Sequence, residues 1–166
     1  MHVVIIGLNH KTAPVEIRER LTFNTQGLSD ALGALKEHPE VAEGLILSTC
    51  NRTEVYAVVP RLHQGVEAIS HFLAAGRDIG VDDLRCHLYV HHGREAVQHL
   101  FTVVTGLDSM ILGETQVLGQ AKEAYLAAAD AGSIGKVLHA LFNQGLAVGK
   151  RGHTETAISQ NAVSVS

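Results

Sequence analysis

The chain has 166 residues, 46% hydrophobic and 18% charged, which excludes disordered and fibrous proteins and leaves room for a sizeable core. Thirteen Lys and Arg against seventeen Asp and Glu give a net charge of −4, which excludes a domain that grips nucleic acid by bulk electrostatics. The two cysteines, Cys50 and Cys86, make neither a disulfide framework nor a CxxC metal pair. With no secretory signal and no apolar run of the ~18 residues a membrane span needs, a reducing cytosol and no membrane are expected.

Val3 to Gly7 predict a first strand, followed by the polar turn Asn9-His-Lys-Thr12 and a helix opened by Pro14, on which Glu16 and Arg20 are spaced to pair. A second helix is predicted over Ser29–Glu37, and strands at about 44–49 and 54–59. Val66, Ile69, Phe72 and Leu73 recur at helical spacing over 66–75. Cys86 to His91 then returns to strand character, with Leu88 and Val90 alternating and Cys86 as a structural thiol at the strand start. His91 and His92, adjacent on a strand, point to opposite faces, so no metal site is expected.

After Gly93 the pattern becomes wholly helical. Ala96, Val97, Leu100, Phe101 and Val104 form one stripe, Val117, Leu118, Ala121, Tyr125 and Ala128 a second, and Val137, Leu138, Leu141, Phe142 and Val148 a third. The order strand, helices, two strands, helix, strand predicts an α+β fold, a ferredoxin-like split βαβ antiparallel sheet with an appended helical lobe beside it. The expected division is residues 1–92 for the sheet part, 93–152 for the helical part, and 153–166 for the start of a connection, because Thr154–Ser166 run on in small and apolar residues without a stop signal.

Two segments carry chemistry. Ser48-Thr-Cys-Asn-Arg-Thr-Glu54 places a thiol and a fixed cation where an apolar strand gives way to a turn, the way a cysteine nucleophile is built. Arg52 suits two tasks, favouring the thiolate or gripping a substrate carboxylate with its planar fork; the bland reading is that Cys50 is one more buried small hydrophobe. Gly106-Leu-Asp-Ser-Met-Ile-Leu-Gly-Glu-Thr-Gln116 reads either as a binding loop or as a plain helix connection in which Ser109 or Thr115 caps a helix. No GxGxxG occurs, and Gly145-Leu-Ala-Val-Gly-Lys150 misses the phosphate-loop spacing, so no nucleotide site is evident.

Together, Gly7-Leu-Asn-His-Lys-Thr-Ala-Pro14, Ser48–Glu54 and Gly106 through Gln120 closely resemble the glutamyl-tRNA reductase family across essentially the whole chain. The resemblance implies that Cys50 attacks the ester joining glutamate to its tRNA, giving a glutamyl thioester that NADPH reduces to glutamate-1-semialdehyde for tetrapyrrole synthesis. It also implies that Thr49, Asn51, Arg52, Ser109, Glu114, Thr115, Gln116 and Gln120 surround the glutamyl group, with Arg52 on its side-chain carboxylate and His99 assisting proton transfer as a second catalytic residue. NADPH is expected on a domain beyond this chain, as is the homodimer interface, with glutamyl-tRNA as substrate and the downstream glutamate-1-semialdehyde aminomutase as a candidate partner. A chain of this extent should acylate or hydrolyse at most. The competing readings are a non-catalytic ligand- or partner-binding module, which predicts an unreactive Cys50, and another cysteine acyl-transfer enzyme pairing Cys50 with His99 as base.

Overall fold

The structure is a computed structural model that describes residues 1–160. The chain runs β1 (His2–Asn9), α1 (Val15–Leu21), α2 (Thr25–Glu37), β2 (Glu43–Ser48), β3 (Arg52–Val59), α3 (Leu62–Ala74), α4 (Val81–Arg85), β4 (Tyr89–His92), α5 (Arg94–Val104), α6 (Gln116–Ala131) and α7 (Lys136–Glu155). The sheet order is β2-β3-β1-β4 with every neighbouring pair antiparallel. That is the expected ferredoxin-like arrangement, with β1 opposite β3 from His2↔Val59 to Asn9↔Arg52.

The helical lobe does not stand beside the sheet; it covers its second face. Along β3, Thr53 bonds the Leu21 carbonyl at the end of α1 and Val59 lies against Gly65 of α3, whereas Tyr56 meets Phe142 of α7 edge-on at 5.0 Å. Odd positions of β3 therefore face α1 and α3, and even positions face the helical lobe. Burial on both sides explains why all eight β3 residues are buried and why β1 and β2 carry the apolar runs Val3–Ile6 and Leu45–Leu47 without alternation. One contiguous apolar core joins both layers.

Several boundaries differ from expectation for identifiable reasons. Helix α2 begins at Thr25, ahead of Ser29, because the Asn24 side chain accepts from the Gly27 amide at 2.7 Å and caps it. Helix α3 starts at Leu62, ahead of Val66, and takes in Gly65, a poor helix former that is needed there because a Cβ would stand 2.6 Å from Val59. Cys86 does not begin a strand. It follows α4, whose first turn carries Asp82 and Asp83, and its exposed thiol donates to the Asp82 carbonyl; β4 starts only at Tyr89.

The third helical stripe is also rotated from its expected phase. Leu138, Phe142, Gly145 and Gly149 are buried while Val137 is exposed, because a Cβ at Gly145 would lie 2.8 Å from Leu100 and one at Gly149 2.6 Å from Leu118. Glycines form that contact surface, and an apolar count overlooks them. Glu16 and Arg20 make no ion pair; Arg20 donates to the Asp78 carbonyl. Residues 161–166, the last six of the expected connection, lie outside the described residues. Among the described residues, no helix is long and apolar enough to cross a membrane.

Helix α7 owes its start to a residue of β2 far away in the sequence. Both carboxylate oxygens of Glu43 accept backbone amides there, from Gly135 at 2.8 Å, Val137 at 3.1 Å and Leu138 at 2.8 Å. This long-range cap satisfies three otherwise orphaned donors and sets a negative charge against the positive end of the helix. Glu43→Ala is expected to lower stability by about 1–2 kcal/mol, read as a shifted urea midpoint at unchanged slope; no shift would mean that water replaces the cap freely.

Candidate active site

Cys50 stands exposed at the tip of the two-residue turn between β2 and β3. The flanking pair is closed by the Thr49 amide donating to the Arg52 carbonyl at 2.8 Å, and the Thr49 hydroxyl accepts from the Asn51 and Arg52 amides at 3.2 Å each. Neither Cys50 nor Asn51 has positive φ, so this is not one of the primed turns that hairpins favour, and the Thr49 hydroxyl supplies the bracing. From outside, His10 donates its amide to the Asn51 carbonyl, and Arg18 of α1 donates to the Cys50 carbonyl at 3.3 Å and to Asn51 Oδ1 at 3.2 Å. The thiol therefore projects from a backbone held on three sides.

Opposite it lies the Gly106–Gln116 segment. Gly106 and Gly113, with φ of +78° and +79°, close it through a Gly113 amide to Gly106 carbonyl bond of 2.9 Å. A narrow cleft between turn and loop is lined by Thr49, Cys50, Asn51, Arg52, Ser109, Glu114, Gln116 and Gln120, together with Val117. Eight of the ten expected site residues thus converge on it. Thr115 does not: it is exposed at the N-cap position of α6 and makes no capping bond with its side chain. His99 does not line it either. A larger hollow of about 500 Å³ on α5, lined by Val97, Phe101, Leu107 and Val148 among others, touches none of the expected site residues.

Beneath the cleft runs a buried polar network that the motifs did not announce. Arg52, 2% exposed, donates from Nη1 to Glu54 Oε1 at 2.9 Å and from Nη2 to Asp108, at 2.8 Å to its carbonyl and 3.0 Å to Oδ2. Glu54, 0% exposed, also accepts from the Tyr56 and Tyr89 hydroxyls at 2.5 Å each and meets Nε2 of His99 at 2.7 Å. The His99 ring stacks on His91 at 4.5 Å. On the far side, Asp108 meets Lys11 Nζ at 3.0 Å and Asn9 Nδ2 at 3.3 Å.

The electrostatics follow from that wiring. Burial alone would push the Glu54 carboxyl up; the His99 hydrogen bond and the Arg52 charge outweigh it and hold it at about 2. Burial works against the Arg52 charge, and Glu54, Tyr89, Tyr56 and Asp108 together outweigh it, so the guanidinium stays firmly protonated. Burial and the neighbouring Glu54 charge raise the phenols of Tyr56 and Tyr89, which remain donors. Asp108 would be raised by burial but is lowered by the Lys11 hydrogen bond and the Arg52 charge.

Sequence reasoning missed Glu54, Tyr56, Tyr89, Asp108, Asn9 and Arg18. For three of the network's members a signal existed: Arg52, Glu54 and Tyr56 alternate on one face of a strand otherwise made of Val, Ala and Thr, and charges in a buried strand must find partners. Asp108 and Tyr89 come from distant segments and gave none.

The comparisons agree with this architecture. A family model described as the glutamyl-tRNAGlu reductase N-terminal domain matches residues 6–156. The glutamyl-tRNA reductases of Pelotomaculum thermopropionicum and Geobacillus thermodenitrificans are 48% and 49% identical over all 166 residues, which cover 37% and 36% of those proteins. The solved glutamyl-tRNA reductase from Methanopyrus kandleri superposes with a TM-score of 0.81 at 34% identity, over 98% of this chain and 37% of that one. The chain therefore spans a little over a third of the length of the curated relatives it matches. It belongs to the glutamyl-tRNA reductase family, whose N-terminal domain fold it adopts.

Proposed function

We propose that this chain is the catalytic domain of an NADPH-dependent glutamyl-tRNA reductase and carries out its acyl transfer. In this reading the Cys50 thiolate attacks the ester carbonyl of glutamyl-tRNA. A carbon–sulfur bond forms, the carbon–oxygen bond to the terminal ribose breaks, and tRNA leaves with its ribose oxygen taking from water a proton that balances the one the Cys50 thiol released on ionising. The observation that carries the proposal is the exposed Cys50 thiol, on a turn braced from three sides, opening onto a cleft lined by side chains suited to an amino acid. Arg52 takes the side-chain carboxylate, and Glu114 is the one acidic group in the cleft able to meet the α-ammonium. Ser109, Gln116 and Gln120 supply neutral hydrogen bonds, and Thr49 and Asn51 shape the turn.

His99 acts as a positioning residue in this reading, since its Nε2 is committed to Glu54 and, among the described residues, no hydrogen bond joins it to Cys50. The same fact weighs against a Cys–His hydrolase dyad. Reduction of the thioester to glutamate-1-semialdehyde, toward 5-aminolevulinate and tetrapyrroles, requires a hydride, which NADPH supplies. The described residues do not fit that dinucleotide: β1 runs into Asn9-His-Lys-Thr12 where a glycine-rich turn would be needed, and Gly106 and Gly113 pack against each other. No hydride step is therefore assigned to them. Homodimerisation, aminomutase contact and a cytosolic setting belong to the same proposal for the whole enzyme.

The test is intact-mass spectrometry of the protein and of Cys50→Ser after incubation with glutamyl-tRNA at neutral pH and an acid quench. A glutamyl adduct on the parent alone is expected. An alkylatable Cys50 that never acylates would mean that tRNA presentation needs residues beyond this chain; an inert Cys50 would favour a non-catalytic module.

A further inference from the structure

Arg52 is assigned to the substrate carboxylate, yet both of its terminal nitrogens are already taken by carboxylates, Glu54 on Nη1 and Asp108 on Nη2. The two partners differ. Glu54 has no exposed surface and holds four partners, so its removal would orphan a buried charge. The Asp108 side chain is 17% exposed and sits on the loop whose neighbouring Ser109 lines the cleft. It also has partners independent of Arg52, with Lys11 Nζ on Oδ1 and Asn9 Nδ2 on Oδ2. Arg52 and Lys11 are set against Glu54 and Asp108, two cations on two carboxylates, so an incoming carboxylate finds both ends of the Arg52 fork occupied unless one resident carboxylate yields its place.

Resting on the reading of Arg52 as the glutamate anchor, we propose that Asp108 is a resident stand-in for the substrate carboxylate: it occupies Nη2 of Arg52 in the free protein and is exchanged for the glutamyl side chain on binding, while Lys11 and Asn9 retain it. The exchange swaps one carboxylate for another on a desolvated fork, which avoids exposing Arg52 uncompensated at any stage. It also ties occupancy of the cleft to the Gly106–Gln116 loop, because the Arg52–Asp108 ion pair that opens is one of two contacts from Arg52 to that loop, the other being the bond from Nη2 to the Asp108 carbonyl. Asp108 is thus a positioning residue that competes with substrate, and its competition lowers affinity in return for a preset guanidinium.

The test uses Asp108→Asn, which keeps the shape and removes the charge. Titration with the α-methyl ester of L-glutamate is expected to give a dissociation constant about tenfold lower than the parent, equivalent to about 1.4 kcal/mol. The difference should persist in 1 M salt, where the Debye length of about 3 Å screens general charge effects. Unchanged or weaker binding by a folded Asp108→Asn would make Asp108 a simple tether and overturn the exchange. The exchange is read separately, without glutamate, from the Arg52 guanidinium resonances of 15N-labelled protein titrated with acetate. They should move at lower acetate in the variant. If the ester binds neither protein but the acetate difference holds, the glutamate reading fails and the exchange stands; equal acetate responses overturn the exchange itself.

Discussion

Glu54→Gln is expected to destabilise the protein by about 3–5 kcal/mol, the cost of removing one member of a fully buried ion pair. The carboxylate is 0% exposed and accepts from Arg52, Tyr56 and Tyr89 while meeting His99. Glutamine keeps one acceptor oxygen, but its amide presents donors toward groups that are themselves donors, and Arg52 is left with Asp108 alone. Urea unfolding measures the loss, and a change under about 1 kcal/mol, the scale of a surface pair, would mean that water shares this network. Acylation of Cys50 should fall in the folded fraction as well, because the Arg52 fork loses the partner that orients it.

The same variant should change the acid response. Glu54 titrates at about 2 in the fold against 4.5 ordinarily, so the unfolded chain takes up its proton first. The stability it contributes is complete above about 4.5 and is lost as pH falls toward 2. Asp108 is lowered too and adds to the loss with the same sign. His91, lowered by burial and by His99, and His10, lowered by burial and by Arg52, are kept neutral by the fold, and their contribution begins to fade below 6.5. All four push one way. The parent's melting temperature should fall steadily on acidification from neutrality, and Glu54→Gln should flatten the limb below about 4.5 while leaving the histidine limb in place.

What the sequence disclosed and what it hid have different physical origins. Strand order, the Cys50 turn and the loop glycines were legible because apolar runs, turn residues and a compact motif act locally. The cleft was legible through a family resemblance that brought Ser109, Glu114, Gln116 and Gln120 to Cys50. The positions of His99 and Thr115 were not, since whether a helix residue faces a cleft depends on the rotation of α5 and the start of α6, which packing decides. Arg52 and Asp108 are 56 residues apart in the chain, and pairing at that range leaves no local mark. The placement of the helical lobe over the sheet had a sign in the non-alternating apolar runs Val3–Ile6 and Leu45–Leu47, since antiparallel strands with one wet face would have alternated.

Gly7 is where the fold and the site depend on one missing methyl group. It pairs with Glu54 on β3 and Tyr89 on β4, and a Cβ there would lie 2.5 Å from the Thr53 carbonyl oxygen and 2.8 Å from both Cα and Cγ of Glu54. Two of those atoms are backbone, so β1 must separate from β3 or Glu54 must leave its four partners. Gly7→Ala is therefore expected to cost at least the 1–3 kcal/mol, roughly, of ordinary overpacking. Gly33 in α2 provides the contrast: a Cβ there meets nothing within 4 Å, and Gly33→Ala should stabilise by about 0.5–1 kcal/mol through helix propensity alone. Urea unfolding of the two variants should move in opposite directions. Gly7→Ala should also lose Cys50 acylation beyond its loss of folded protein, because the displaced carboxylate is the one that aims Arg52 into the cleft; a Gly7→Ala protein with full acylation would mean that Arg52 needs no such support.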